Sequence, residues 1–413
     1  HRIVVTAGTP DAVTRLSADA GAAPLVTARI SAAALNAGGL SSISLKSDHS
    51  IGFSGSLDLH STDSLTLDAP ILDTEAPAAT GTRFSPYGIP PTFVTLASRH
   101  VSLMNSTGNP AAQVNDPTRP VAALPTRSAN GRLTVQAGLI DLIGSVTVQG
   151  LRDGADGTTG AAMSSAAKAA AGATERETPA LLLDSTGDIR LTGMPVRSGG
   201  AGVSAVDKLA GALVGEGNIE LKAQQIYPTS MSEFTIASRE VLAGGTSTHA
   251  GTVRVTGAGG TPQAVLSAAG AVVLEGDRVV QAGTVAAPLG RIELNGNTVS
   301  LEDGSLTTSS LAGATVPLGE TRNGREWFYD LAPVRTAGEF DRSITATLTT
   351  PGEKRIVTRG ASVDIKPGAT IDLSGGGEVQ AFEFVAGPGG SRDVLQSSPS
   401  APTWAILPST RLA

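Results

Sequence analysis

Apolar residues recur at alternate positions in short runs, and the runs themselves repeat. Between Gly270 and Ser310, Val272 and Leu274 open one copy and are followed by Val279 and Val285. Ile292 and Leu294 open the next, followed by Val299, Leu301 and Leu306. Corresponding positions lie about twenty residues apart, and each copy divides into three runs separated by Gly, Asp or Asn. Alternation over a few residues predicts a strand with one buried face. A fixed period in the twenties predicts a solenoid, and three short strands per turn predict an all-β parallel β-helix.

The same offsets appear elsewhere. Leu133/Val135, Ile140/Leu142 and Val146/Val148 reproduce the steps of seven and thirteen residues, as do, in part, runs starting at Ile43 and Ile219. Further coils are predicted at Leu65/Leu67, Val94/Leu96 with Val101/Leu103, Leu181–Leu183 with Ile189/Leu191, Phe234/Ile236 and Val253/Val255. Pro-, Asn- and Ser-rich stretches break the pattern near 75–92, 105–130 and 151–180 and are expected to leave the coil as insertions. The Ala-rich centre of the third, Ala161 to Ala171, has the propensity for a short helix or a loop outside the coil.

The chain thus divides into coils with insertions over 1–310, an irregular insertion or small subdomain over 311–360, terminal coils over 361–398 and an extended tail over 399–413. Ile344 to Leu348 and Ile356 to Thr358 are the candidate strands of that subdomain. After the insertions are subtracted, about a dozen coils remain, a rod about 60 Å long. Neither terminus carries an obvious cap, and the chain begins without Met or a signal peptide. Both features predict a piece of a longer chain.

Composition agrees with a narrow aliphatic core. Gly is abundant at 50 residues, hydrophobic residues make up 40%, and aromatics only 3%. A net charge of −7 argues against nucleic acid as a partner, since phosphate binding needs a basic face. Cys is absent, which suits an exported β-protein, and no apolar run is long enough for a transmembrane helix.

Candidate chemistry is sparse. Asp141, Glu220, Glu293, Asp364 and Asp372 occupy outward positions of apolar–x–apolar runs, where some polysaccharide-degrading β-helices place catalytic acids. With Arg190 and Arg254 at equivalent positions, the plainer reading is charge pairing between coils. Arg152–Gly157 and Glu302–Gly304 offer oxygen ligands beside glycine turns but lack a stacked calcium repeat. The five His residues have no metal-site spacing, and Asn105-Ser106-Thr107 is a glycosylation sequon. No elbow, P-loop or zinc motif is present, so no catalytic residue, cofactor or metal is assigned. Trp327, Phe328 and Tyr329, with Arg325 beside them, are candidates for stacking on a sugar or a partner, or for packing the insertion onto the coil.

Ala361 to Leu395 resembles a stretch of the large exoproteins of the filamentous haemagglutinin family. The matching residues are Gly368 to Gly377, then Phe382 to Val385, Gly387, Gly389 to Ser391 and Asp393. The resemblance implies a right-handed β-helical rod exported by two-partner secretion through an outer-membrane transporter and held at the bacterial cell surface. It implies a non-enzymatic adhesin shaft, with a host or neighbouring-cell receptor or glycan as partner and end-to-end self-association open to it. Two other readings remain at this stage: a polysaccharide lyase or hydrolase, and a subunit of a polymerising extracellular filament.

Overall fold

The computed structural model describes residues 2–8, 27–75, 92–107, 131–151, 179–198, 205–241, 247–248, 251–322, 324–331 and 345–383. It is a parallel β-helix. One 25-stranded sheet winds into three faces, and nearly every pairing within it is parallel. Face one stacks Arg2–Thr6, Ser50–Ser54, Ile71–Glu75, Ser145–Gln149, residues 209–215, Ser232–Ser238, residues 271–275 and 291–295, and Arg355–Arg359. Face two runs from Leu57–His60 to Ser362–Ile365, and face three from Ser42–Lys46 to Thr370–Asp372. Among the described residues faces two and three are nine strands deep, against the dozen coils expected. At about 4.8 Å per rung the body is about 40 Å long.

The alternation read from the sequence sets the register. Val272 pairs with Ile292 and Ile292 with Ile356, Leu274 with Leu294, and Val279 with Val299 and Val299 with Val363. The side chains of Val272, Leu274, Val279, Ile292, Leu294 and Val299 join a single buried cluster that extends from Val5 to Leu301, with Ile356 partly buried against it and Val363 exposed. Leu306 departs from expectation. The turn through Glu302 to Ser305 shifts the phase by one residue, so Thr307 is the buried partner of Val285 and Leu306 faces outward. A buried amide accommodates Thr307: Gln281 Nε2 donates to Leu306 O at 3.0 Å and reaches Thr307 Oγ1 at 3.2 Å. Where turns stack, there is no space for a side chain. A Cβ on Gly290 would lie 1.9 Å from Gly270 O.

The amino-terminal end is closed, although the sequence showed no cap. Strand Arg2–Thr6 lies between Thr27–Ser31 and Ser50–Ser54, out of chain order. Arg2 is buried there, with Nη2 2.7 Å from Asp73 Oδ1 and Nε 3.1 Å from Ser50 Oγ, and pairs also with Glu75. The helix Ala32–Ala37, capped by the Ser31 hydroxyl, then crosses the end of the coil. Its Asn36 occupies the bare edge of face two, donating to Asp58 O at 2.8 Å and accepting from His60 N at 3.1 Å.

The 311–360 region contains a side sheet. Thr315–Arg322, Glu326–Asp330, Thr345–Thr347 and Glu378–Phe382 form four strands in the order 345–347, 326–330, 315–322, 378–382. Ile356–Thr358, expected in this subdomain, belongs to face one. Coils were expected over 361–398; among the described residues the last face strand is Thr370–Asp372 and Glu378–Phe382 joins the side sheet, while 384–398 lie outside the described residues. The Ala161–Ala171 segment, the 399–413 tail and the motif residues from Phe384 onward lie outside the described residues.

Ile292 is fully buried in the stack. Ile292→Asp places an unpaired carboxylate there and should cost on the order of 4 kcal/mol. Thermal melting checks this, and an unchanged melting curve would refute the inward assignment.

Candidate functional site

The five outward carboxylates do not converge. Asp141 and Asp372 lie on face three, Glu220 and Asp364 on face two, and Glu293 on face one. Each has a partner on its own or a neighbouring coil. Glu220 Oε1 accepts from Thr256 Oγ1 at 3.0 Å, Asp364 Oδ2 lies 2.6 Å from Lys366 Nζ, and Asp372 Oδ1 accepts from Ser374 N at 2.8 Å. Those last bonds to Ser374 hold Asp372 below the usual carboxylate range. Arg254 is the register partner of Glu220, yet the bond on that carboxylate comes from Thr256.

The densest ionisable group is on face three. Ser102, Asp141, Arg190 and Tyr227 are register partners on four successive coils. Arg190 grips Asp141 with both prongs, Nε to Oδ1 and Nη2 to Oδ2, each at 2.7 Å. His100 Nε2 lies 2.8 Å from the same Oδ2, so Asp141 is buried although its position points outward. The bonds from Arg190 to Asp141 raise the guanidinium pKa further, and burial raises that of Tyr227. Asp188 beside them is also raised by burial, against a hydrogen bond from Gln225.

This group does not form a nucleophilic triad. Ser102 Oγ, at 3.3 Å, and Asp141 converge on the same imidazole nitrogen. A relay requires the hydroxyl and the carboxylate on opposite nitrogens. The arrangement is a fork-shaped ion pair with a histidine lid, and it tethers consecutive coils.

The other candidates resolve individually. Glu302–Gly304 is a turn: Gly304 has φ +78°, and Asp303 Oδ1 accepts from Gly368 N in the turn stacked above. Arg152–Gly157 lies outside the described residues, as do His1 and His249. Among the described residues no group of three or more His, Cys, Asp or Glu is placed to hold a metal ion. Asn105 of the sequon is only 3% exposed, and its amide nitrogen donates to Ser145 O at 2.8 Å. That amide closes a turn with Thr107, and the fold leaves no room there for a glycan.

In the side sheet, strand alternation splits the aromatic group. Trp327 and Tyr329 turn toward the coil and pack over Leu318, Val316, Ala268 and Met231. Trp327 Nε1 donates to Leu318 O at 2.7 Å, and burial raises the Tyr329 hydroxyl pKa. Phe328 is on the opposite side of the strand, and Arg325 is exposed at its approach.

Sequence reasoning missed a second aromatic. Phe93 stands outward on face two and is 48% exposed. The Arg132 guanidinium lies 5.5 Å from its ring centroid, in cation–π contact. Together with Thr95, Thr134, Pro179 and Leu182 these residues line a shallow groove. The sequence did carry a signal: Phe93 breaks the outward-polar rule just before Val94, where a pattern search keeps only the inward half.

Glu293 offers a direct test of pairing between coils. Burial alone would raise its carboxyl pKa, but the hydrogen bond from Arg359 and the charges of Arg291 and Arg359 more than offset this and lower it. A folded value below the unfolded one means stabilisation that is present above the unfolded carboxylate range and lost as pH falls through the folded value. An NMR titration of Glu293 should give a lower midpoint than in Arg359→Ala, and equal midpoints would show that the pair does not form in solution. No family model matches this chain, and no curated protein or solved structure is significantly similar to it.

Proposed function

We propose that the chain is a non-enzymatic structural and adhesive segment of a large secreted bacterial surface exoprotein, a rigid rod that displays binding loops. One observation carries this reading: the long departures from the coil are confined to two of its three corners. The chain leaves face one after Glu75 and enters face two at Thr92, and does the same between Leu151 and Pro179 and between Val241 and Gly251. After Thr107 it again returns to face two, at Gly131. The side sheet and the hairpin through Met194–Ser198 open between faces three and one. Among the described residues, the passages from face two to strands of face three are short turns, and residues 258–270 run from Gly257 of face two to Ala271 of face one without a face-three strand. Insertions on chosen corners of a stiff shaft are what a display scaffold requires, because loops that need not pack are free to bind.

The resemblance of Gly368–Gly377 to haemagglutinin-type exoproteins supports the same reading and supplies the expectation of two-partner secretion. The groove at Phe93 and Arg132 lies where three of the insertions re-enter face two. An aromatic face next to an arginine suits a glycan or a receptor loop.

Binding of the purified chain to cell surfaces and to a glycan array tests the proposal. Phe93→Ala with Arg132→Ala should reduce binding about tenfold with no change in melting temperature. A chain that binds no surface, or that releases reducing ends from acidic polysaccharides in a manner lost with Glu293→Gln or Asp364→Asn, would overturn it.

A further inference from the structure

Arg190, Arg291 and Arg359 each lie within ion-pair distance of a carboxylate on their own or a neighbouring coil. Arg132 has no carboxylate and no hydrogen-bond partner among the described residues, although it is half-buried. Its guanidinium lies instead over the Phe93 ring, 5.5 Å from the centroid. The register sets Phe93 beside Arg132, and in the next column Thr95 beside Thr134 and Thr134 beside Leu182. With Pro179 these residues enclose a groove with a cavity volume of about 180 Å³. Small-molecule pockets run to roughly 300–1,000 Å³, so this one takes a single ring at the end of a larger ligand.

Three chemistries meet in the groove. Phe93, Pro179 and Leu182 are apolar, and Arg132 carries a charge that nothing beside it compensates. Thr95 and Thr134 add two hydroxyls that bond to no other group among the described residues. The acids of the adjoining coils give the site a polarity. Asp58 and Glu220 are register partners of Thr95 and Leu182, at the two ends of the threonine column. A ligand anion is repelled along that column and drawn to Arg132 at its side.

The geometry points to a site for a carboxylated sugar, a uronic or sialic acid residue of an acidic glycan. This rests on the adhesive reading of the groove and names the chemistry of its ligand. The sugar lays its C–H face on the apolar wall and shares its hydroxyls with Thr95 and Thr134. Its carboxylate meets the planar fork of Arg132, which suits two parallel hydrogen bonds. An Asp or Glu side chain of a peptide satisfies Arg132 but offers nothing to the two threonines, whereas a pyranose satisfies both.

Calorimetric titration of the full chain with trigalacturonic acid and with sialyllactose, each as the free acid and as its methyl ester, tests the inference. One acid or both should bind, and the matching ester should bind at least about tenfold more weakly. Arg132→Gln should abolish the preference for the acid, and Phe93→Ala should weaken acid and ester alike. Neither side chain is buried, so both variants should melt as the parent does. Acid and ester bound equally would mark a reader of neutral sugars, as would an acid preference that survives Arg132→Gln. Hexaglutamate bound more tightly than either acid would mark a peptide site. A chain that binds neither acid but still binds cell surfaces would place adhesion elsewhere. Each of these results overturns the inference and leaves the adhesive reading standing, whereas a chain that binds neither acid nor any surface overturns both.

Discussion

Everything in this molecule depends on one requirement: each coil must return to the ladder in register with the coil beneath it. A strand that slips by one residue turns its aliphatic side chains outward, so the inward column of Val272, Ile292 and Ile356 fixes position as firmly as the hydrogen bonds do. Between strands the requirement lapses. The chain departs after Thr308 and returns at Arg355 without disturbing the pairing of Ile292 with Ile356. Cost is charged only where an insertion starts and ends, since loop closure grows slowly with length. That is why long segments rich in Pro and Gly coexist with a regular core.

The same geometry accounts for the polar groups. Outward side chains at equal positions on successive coils are one strand spacing apart, close enough for direct pairing. Asp141 with Arg190, Glu293 with Arg359 and Asp184 with Lys222 are all such neighbours or near neighbours. An acid in an apolar–x–apolar run is therefore first a partner for the coil above or below. A catalytic cluster would need several acids on one face with their pairing left incomplete, whereas here they are spread over three faces.

Period and phase were legible in the sequence because they are local properties. The spacing of Leu133, Ile140 and Val146 is a statement about nearby residues, and all three are buried as that spacing requires. The slip at Leu306 was not legible, because one extra turn residue changes which of two neighbours points inward, and Thr307 is polar enough to be discounted. The burial of Asn105 was hidden because a sequon reads the same whether its amide is free or bonded to Ser145. Trp327, Phe328 and Tyr329 read as a single aromatic group, yet a strand presents consecutive residues to opposite sides. Phe93 was passed over because the inward pattern claimed its neighbours Val94 and Leu96.

The closed end was the least legible feature, and the reason is topological. Local patterns reveal strands but not their order, and Arg2–Thr6 occupies a rung between two strands that follow it in the chain. Buried Arg2, held by Asp73 and Glu75, fixes that order, since any other placement would leave those carboxylates buried without a cation. Gly52 fits the same point, where a Cβ would lie 2.6 Å from Asp73 Oδ1. The ion cluster gives little net stability, but it distinguishes this rung from others of similar aliphatic pattern. A solenoid of near-identical coils has many almost equivalent registers, and a charged contact at one rung removes the ambiguity there.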